Sequence, residues 1–96
     1  MNMEIKRIEN GSKGAYLIEK QGERLAEMTY SKAGEHLIII DHTEVSDTLR
    51  GQGVGKKLVY AAVEDARKQN FKIIPLCPFA KSIFDLRTEI QDVLSR

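Results

Sequence analysis

The stretch Arg50-Gly51-Gln52-Gly53-Val54-Gly55-Lys56 holds the densest set of chemistry-bearing residues in the chain. Three alternating glycines at the start of a helix let a ligand approach the backbone closely. The free N–H groups of a first helical turn then face an anion, helped by the helix dipole. Arg50 and Lys56 add positive charge on either side. The chemistry implied is phosphate or diphosphate binding. Two nucleotide motifs are excluded by spacing. The P-loop needs Gly-Lys-Ser/Thr, and Gly55 is followed by Lys56-Lys57. The dinucleotide fingerprint needs G-x-G-x-x-G with an acidic residue after the next strand. This sequence has G-x-G-x-G and no such acid. An isolated glycine-rich loop also serves as a plain connection with one glycine packed closely on a neighbour. The other reactive types are sparse. Cys77 is the one cysteine, which excludes an intramolecular disulfide and a Cys-rich zinc site. His36 and His42 are the two histidines. No metal site is expected.

The elements that position these residues follow from periodicity. A first strand is expected around Met3, Ile5 and Ile8, then a turn over Asn10-Gly11-Ser12-Lys13-Gly14. Ala15 to Lys20 reads as a second strand, Gln21-Gly22 as a tight turn, and Arg24 to Tyr30 as a third strand. In the third, Leu25, Glu27 and Thr29 point one way and Ala26, Met28 and Tyr30 the other. His36 to Val45 forms a fourth strand. Its run Leu37-Ile38-Ile39-Ile40 suits a central strand covered on both faces. The two-residue period groups Ile38, Ile40, His42 and Glu44 on one face. It puts Leu37, Ile39, Asp41, Thr43 and Val45 on the other. After the glycine loop, Val54, Leu58, Ala61, Ala62 and Ala66 repeat at helical spacing to about Gln69, with Asn70 as the stop. Phe71 to Leu76 reads as a fifth strand in which Pro75 marks an end or bulge. A broken helical segment follows from about Ala80 to Leu94. The strand–loop–helix–strand unit from Leu37 to Cys77 is expected to be a right-handed crossover between parallel strands. It carries the glycine loop to the C-terminal ends of those strands. The expected fold class is α/β (α+β), with a mixed, mostly antiparallel sheet.

Composition bounds the function. Ninety-six residues leave room for one domain, 1–96, burying roughly 65% of its unfolded surface. Fifteen Lys and Arg against fourteen Asp and Glu give a charge of +1, so there is no global field for nucleic acid or an anionic membrane. No apolar run approaches the roughly 20 residues a membrane-spanning helix needs. The alternating, charged segment Met3 to Ile8 is unlike a signal peptide. A cytoplasmic location is expected, which also fits a single cysteine.

In this context Arg50-x-x-Gly53-x-Gly55 resembles the Arg/Gln-x-x-Gly-x-Gly/Ala signature of the GNAT superfamily of acyl-CoA N-acyltransferases. The resemblance covers roughly residues 36–84. It extends to the small single-domain GNAT-like subgroup through the chain length, His42-Thr43 and Cys77-Pro78-Phe79-Ala80-Lys81. It implies a truncated GNAT-like fold, without the helices that normally follow the first strand. It implies that Arg50, Gly51, Gln52, Gly53, Val54, Gly55 and Lys56 bind the coenzyme A pyrophosphate, and that the backbone near Val45 meets the pantetheine arm. Many members carry Asn-x-x-Ala-x-x-x-Tyr after the fifth strand, the Tyr protonating the leaving thiolate. Here the matching residues are Cys77, Ala80 and Phe84, so the usual acid is missing. Cys77 is then expected to act as the acid or as a nucleophile activated by His42. Glu44 would orient His42 or serve as base for the acceptor amine. The implied activity is acetyl-CoA-dependent acetyl transfer to an unidentified amine, small molecule or protein, by a monomer or homodimer. A non-catalytic acyl-CoA-binding module and a small interaction domain without a coenzyme site are the alternatives.

Overall fold

A computed structural model describes residues 4–95. Strands β1 (Lys6–Asn10), β2 (Lys13–Lys20), β3 (Glu23–Lys32) and β4 (Leu37–Val45) form an antiparallel meander. A 3₁₀ turn (Asp47–Leu49) and helix α1 (Val54–Gln69) lead to β5 (Lys72–Pro75), which pairs parallel with β4. Helix α2 (Pro78–Leu86) and a second 3₁₀ segment (Thr88–Val93) complete the chain. The sheet order is β1-β2-β3-β4-β5. Met3, expected in the first strand, lies outside the described residues.

The turn chemistry accounts for the meander. Gln21 and Gly22 both sit at positive φ, 53° and 80°, the two-residue hairpin geometry that matches strand twist. Helix α1 ends at Asn70, whose left-handed φ of 61° lets its N–H reach Ala66 O. Its buried stripe is Val54, Leu58, Val59, Ala62, Val63 and Ala66, with Gly55 also buried. The expected Ala61 is only half-buried, and Val59 and Val63 replace it. The C-terminal helical segment is broken, as expected, by the extended backbone of Arg87, and starts at Pro78 rather than Ala80. Pro78 suits the first helical position, where its missing N–H costs nothing.

One core joins the helices to one face of the sheet. That face carries Tyr16, Ile18, Ala26, Met28, Tyr30, Ile38, Ile40 and Ile73, packed with α1 and with Cys77, Ala80, Phe84, Ile90 and Val93. Burying a side chain such as Leu58 or Phe84 contributes about 1.5–3 kcal/mol. Arg7 ties the edge strand to this layer. Its guanidinium lies 5.5–5.6 Å from the ring centres of Tyr16, Tyr30 and Phe71, and it donates to Tyr30 Oη, Glu9 and Asp65. The expected cover on both faces of β4 is not found. Leu37 and Ile39, on the face away from this core, are only half-buried.

The face assignment in β4 is also corrected. Thr29 pairs with His42 but Tyr30 pairs with Ile40, so Asp41 is an extra residue, a β-bulge. A bulge inverts the alternation beyond it. Thr43 and Val45 stand opposite the core residues Met28 and Ala26, and so share the face of Ile38 and Ile40. His42 and Glu44 stand opposite Thr29 and Glu27, on the other face.

Candidate functional site

Strands β4 and β5 part company at the bulge. Their pairing runs from Leu37/Lys72 to Ile40/Pro75 and stops. Leu76 N–H and Cys77 N–H both donate to Ile40 O at 3.1 Å, the last main-chain ties between β4 and the segment that follows β5. Pro75 cannot extend the ladder with an N–H. Beyond Ile40, β4 continues from Asp41 to Val45 paired with β3 alone. Its other edge has no strand partner among the described residues, and the chain turns from β5 into α2 at Cys77 and Pro78. Val45, half-buried against the core, ends that edge.

The glycine loop joins the 3₁₀ turn after β4 to the start of α1. Gly51 and Gly53 take φ of 83° and 67°, where side chains are strained. Gly53 is the N-cap of α1, and no side chain caps the helix. The first helical hydrogen bond runs from Lys57 N–H to Gly53 O at 3.1 Å. The N–H groups of Val54, Gly55 and Lys56 therefore have no main-chain acceptor among the described residues. An uncapped N-terminus with no acid in its first turn is suited to an anion rather than to self-satisfaction. Gly51 and Gln52 are exposed beside it. Arg50 is exposed and paired with Asp47 at 2.8 Å, and Lys56 Nζ rests 5.6 Å from the ring centre of Tyr60. Gly55 differs from the other two glycines: it is buried, with the ring of Phe79 against it.

Cys77 is the N-cap of α2 and is 4% exposed. Its Sγ donates to Thr43 Oγ1 at 3.4 Å. Burial pushes the thiol up, but the Thr43 hydroxyl and the amides of Ala80, Phe79 and Thr43 outweigh it, holding Cys77 below the ordinary thiol value. Sulfur makes no close capping hydrogen bond, so the α2 amides act through their dipoles. A hydroxyl can accept from the thiol and turn to donate to the thiolate.

The expected Cys77–His42 pair does not form. The bulge turns His42 to the face away from Cys77, where it is exposed and lies 3.8 Å from Glu44. Thr43 takes the place beside the sulfur. The two-residue period hid Thr43, because nothing in the residue types of Ile39 to Thr43 marks a bulge. Phe84 is 1% exposed within the core. The three tyrosine hydroxyls are engaged by Asp65, Glu9 and Glu89. Burial, with a hydrogen bond to Glu9, pushes Tyr30 up to about 12. Among the described residues no group of three or more His, Cys, Asp or Glu is arranged to hold a metal, and no helix is long and apolar enough to cross a membrane.

The family profile described as GCN5-related N-acetyl-transferase matches residues 15–93. A GCN5-like protein from Staphylococcus aureus, known from its solution structure, is 46% identical, with TM-score 0.72 over 98% of this chain and 89% of that one. A ribosomal-protein-alanine N-acetyltransferase from Brucella melitensis is 17% identical, with TM-score 0.62 over 91% of this chain and 64% of that one. A GNAT family acetyltransferase from Elizabethkingia anophelis with acetyl-CoA bound is 18% identical, with TM-score 0.55 over 67% of this chain and 42% of that one. No curated protein sequence matches the chain. Profile, identity and fold agree, and the chain belongs to the GCN5-related N-acetyltransferase family.

Proposed function

We propose that the protein transfers an acetyl group from acetyl-CoA to an amine, with Cys77 at the reacting end. The observation that carries this reading is the parting of β4 from β5 at Ile40 and Pro75. It leaves the open edge Asp41–Val45 between three unpartnered amides and a cysteine whose thiolate is stabilised. The Val54, Gly55 and Lys56 amides would hold the diphosphate, with Arg50, Gly51, Gln52 and Gly53 shaping the loop. Main-chain groups up to Val45 would pair with the amides of the pantetheine arm. The coenzyme supplies the activated thioester.

The chain's own residues then have two tasks. One is to protonate the departing thiolate, and Phe84 cannot do it. Cys77, more acidic than an ordinary thiol, passes its proton to a thiolate of ordinary basicity downhill. The other is to take a proton from the attacking amine. His42 and Glu44 stand on the sheet face away from Cys77, the side from which an acceptor would approach. The amine nitrogen forms the new bond to the carbonyl carbon, the carbon–sulfur bond breaks, and the two protons end on the base and on coenzyme A. Stabilisation of the thiolate by Thr43 and the start of α2 also supports a second route, in which Cys77 takes the acetyl group first and His42 plays no part in its activation.

Calorimetric titration with acetyl-CoA, against 3′-dephospho-CoA and ADP, tests the coenzyme site; saturable micromolar binding is expected. Cys77→Ala is expected to bind acetyl-CoA and to lose turnover on an amine panel. Retained turnover overturns the role of Cys77. An acetyl adduct on Cys77 in mass spectra of the quenched wild-type reaction selects the covalent route. Absence of binding at millimolar ligand overturns the coenzyme reading.

A further inference from the structure

Four large apolar side chains stand out in solvent among the described residues: Ile8, Leu76, Phe79 and Leu86. Two of them, Leu76 and Phe79, bracket Cys77. Phe79 lies in the first turn of α2 and is 40% exposed. Its ring rests on Gly55. A Cβ at position 55 would come within 2.6 and 2.7 Å of ring atoms Cζ and Cε2, so only glycine lets the ring settle on the first turn of α1. Glycine at the second position of α1 thus seats a half-exposed aromatic ring beside the amides of Val54, Gly55 and Lys56.

The ring borders one defined span. It touches Gly55, among the amides proposed to hold the diphosphate, and belongs to the first turn of α2, whose N-cap position is Cys77, the proposed reacting residue. In a coenzyme A thioester the diphosphate is joined to the thioester side by the pantoyl unit. The gem-dimethyl group of that unit is the only branched apolar bulk between the two, and adenosine lies beyond the diphosphate. We propose that Phe79 is the apolar wall against which this gem-dimethyl group packs, and that Gly55 is glycine to admit the ring rather than the phosphates. This rests on the coenzyme reading above and deepens it with a specificity residue.

The test is a ligand–protein cycle on the full chain. Acetyl-CoA and a synthetic acetyl-CoA lacking the two pantoyl methyls are titrated into wild type, Phe79→Ala and Gly55→Ala. Burial of two methyls predicts that wild type prefers acetyl-CoA by about tenfold. Phe79→Ala and Gly55→Ala are expected to bind the two ligands equally, and Phe79→Leu to keep most of the preference. Equal preference in wild type and both variants overturns the proposal and leaves the coenzyme site standing. A wild type that binds neither ligand removes the coenzyme reading, and this proposal with it. Should Phe79→Ala fail to fold, Gly55→Ala and Phe79→Leu still decide the outcome.

Discussion

Replacing Gly53 by Asp or by Asn separates charge from conformation at the start of α1. Gly53 sits at φ 67°, and a Cβ built there meets nothing within 4 Å. Both substitutions therefore carry the cost of the left-handed backbone, about 1 kcal/mol, and no clash. Neither can cap α1, because a side-chain cap needs extended backbone at that position and Gly53 is left-handed. Gly53→Asn should melt roughly 4–8 °C below wild type, and Gly53→Asp by less, because its carboxylate gains from the α1 dipole. Only Asp brings a charge. A carboxylate about 5 Å from one diphosphate charge, at an effective dielectric of about 40, is repelled by about 1.7 kcal/mol. Part of the second charge raises this toward 3 kcal/mol at low salt. Acetyl-CoA should thus bind Gly53→Asp about 20- to 150-fold more weakly than Gly53→Asn. Calorimetry at two ionic strengths reads the difference, which should shrink at high salt. Equal affinity of the two variants would refute the electrostatic reasoning: the loop would then hold its ligand by shape alone.

Three further outcomes are expected. Gly14→Ala should destabilise by about 3 kcal/mol, because its Cβ would overlap the Tyr30 ring, which is fully buried and held by Glu9 and Arg7; a denaturant midpoint within error of wild type would contradict the packing. Cys77 has a folded-state pKa below its unfolded value, so its ionisation adds stability above about pH 8.5 and loses it as pH falls through the folded value. The gap between wild type and Cys77→Ala in urea denaturation should widen from pH 7 to about pH 9.5; a constant gap would remove the thiolate stabilisation. Gln21→Gly should raise the melting temperature by a few degrees, since Gln21 holds φ 53° in the β2–β3 turn; an unchanged or lowered midpoint in thermal denaturation would remove the strain.

Much of the layout was legible in residue types. The hairpin at Gln21-Gly22, the helix ending at Asn70 and the strand ending at Pro75 are each set by local backbone chemistry. The glycine loop was legible as an anion site because uncapped helix amides are a property of a few adjacent residues. Two of its members changed meaning. Gly55 is shaped by Phe79, 24 positions away, and Arg50 is exposed and paired with Asp47.

By itself the sequence determined the elements, the order of chemistry along the chain and the identity of the one thiol. The tertiary structure decided which of those groups meet. A single extra residue, Asp41, exchanged His42 for Thr43 beside Cys77. Its position depends on the register between β3 and β4, a long-range pairing that a two-residue period along one strand cannot report. The parting of β4 from β5 has both origins: Pro75 ends β5 by its own chemistry, but which stretch of β4 is thereby left open depends on the register between the two strands.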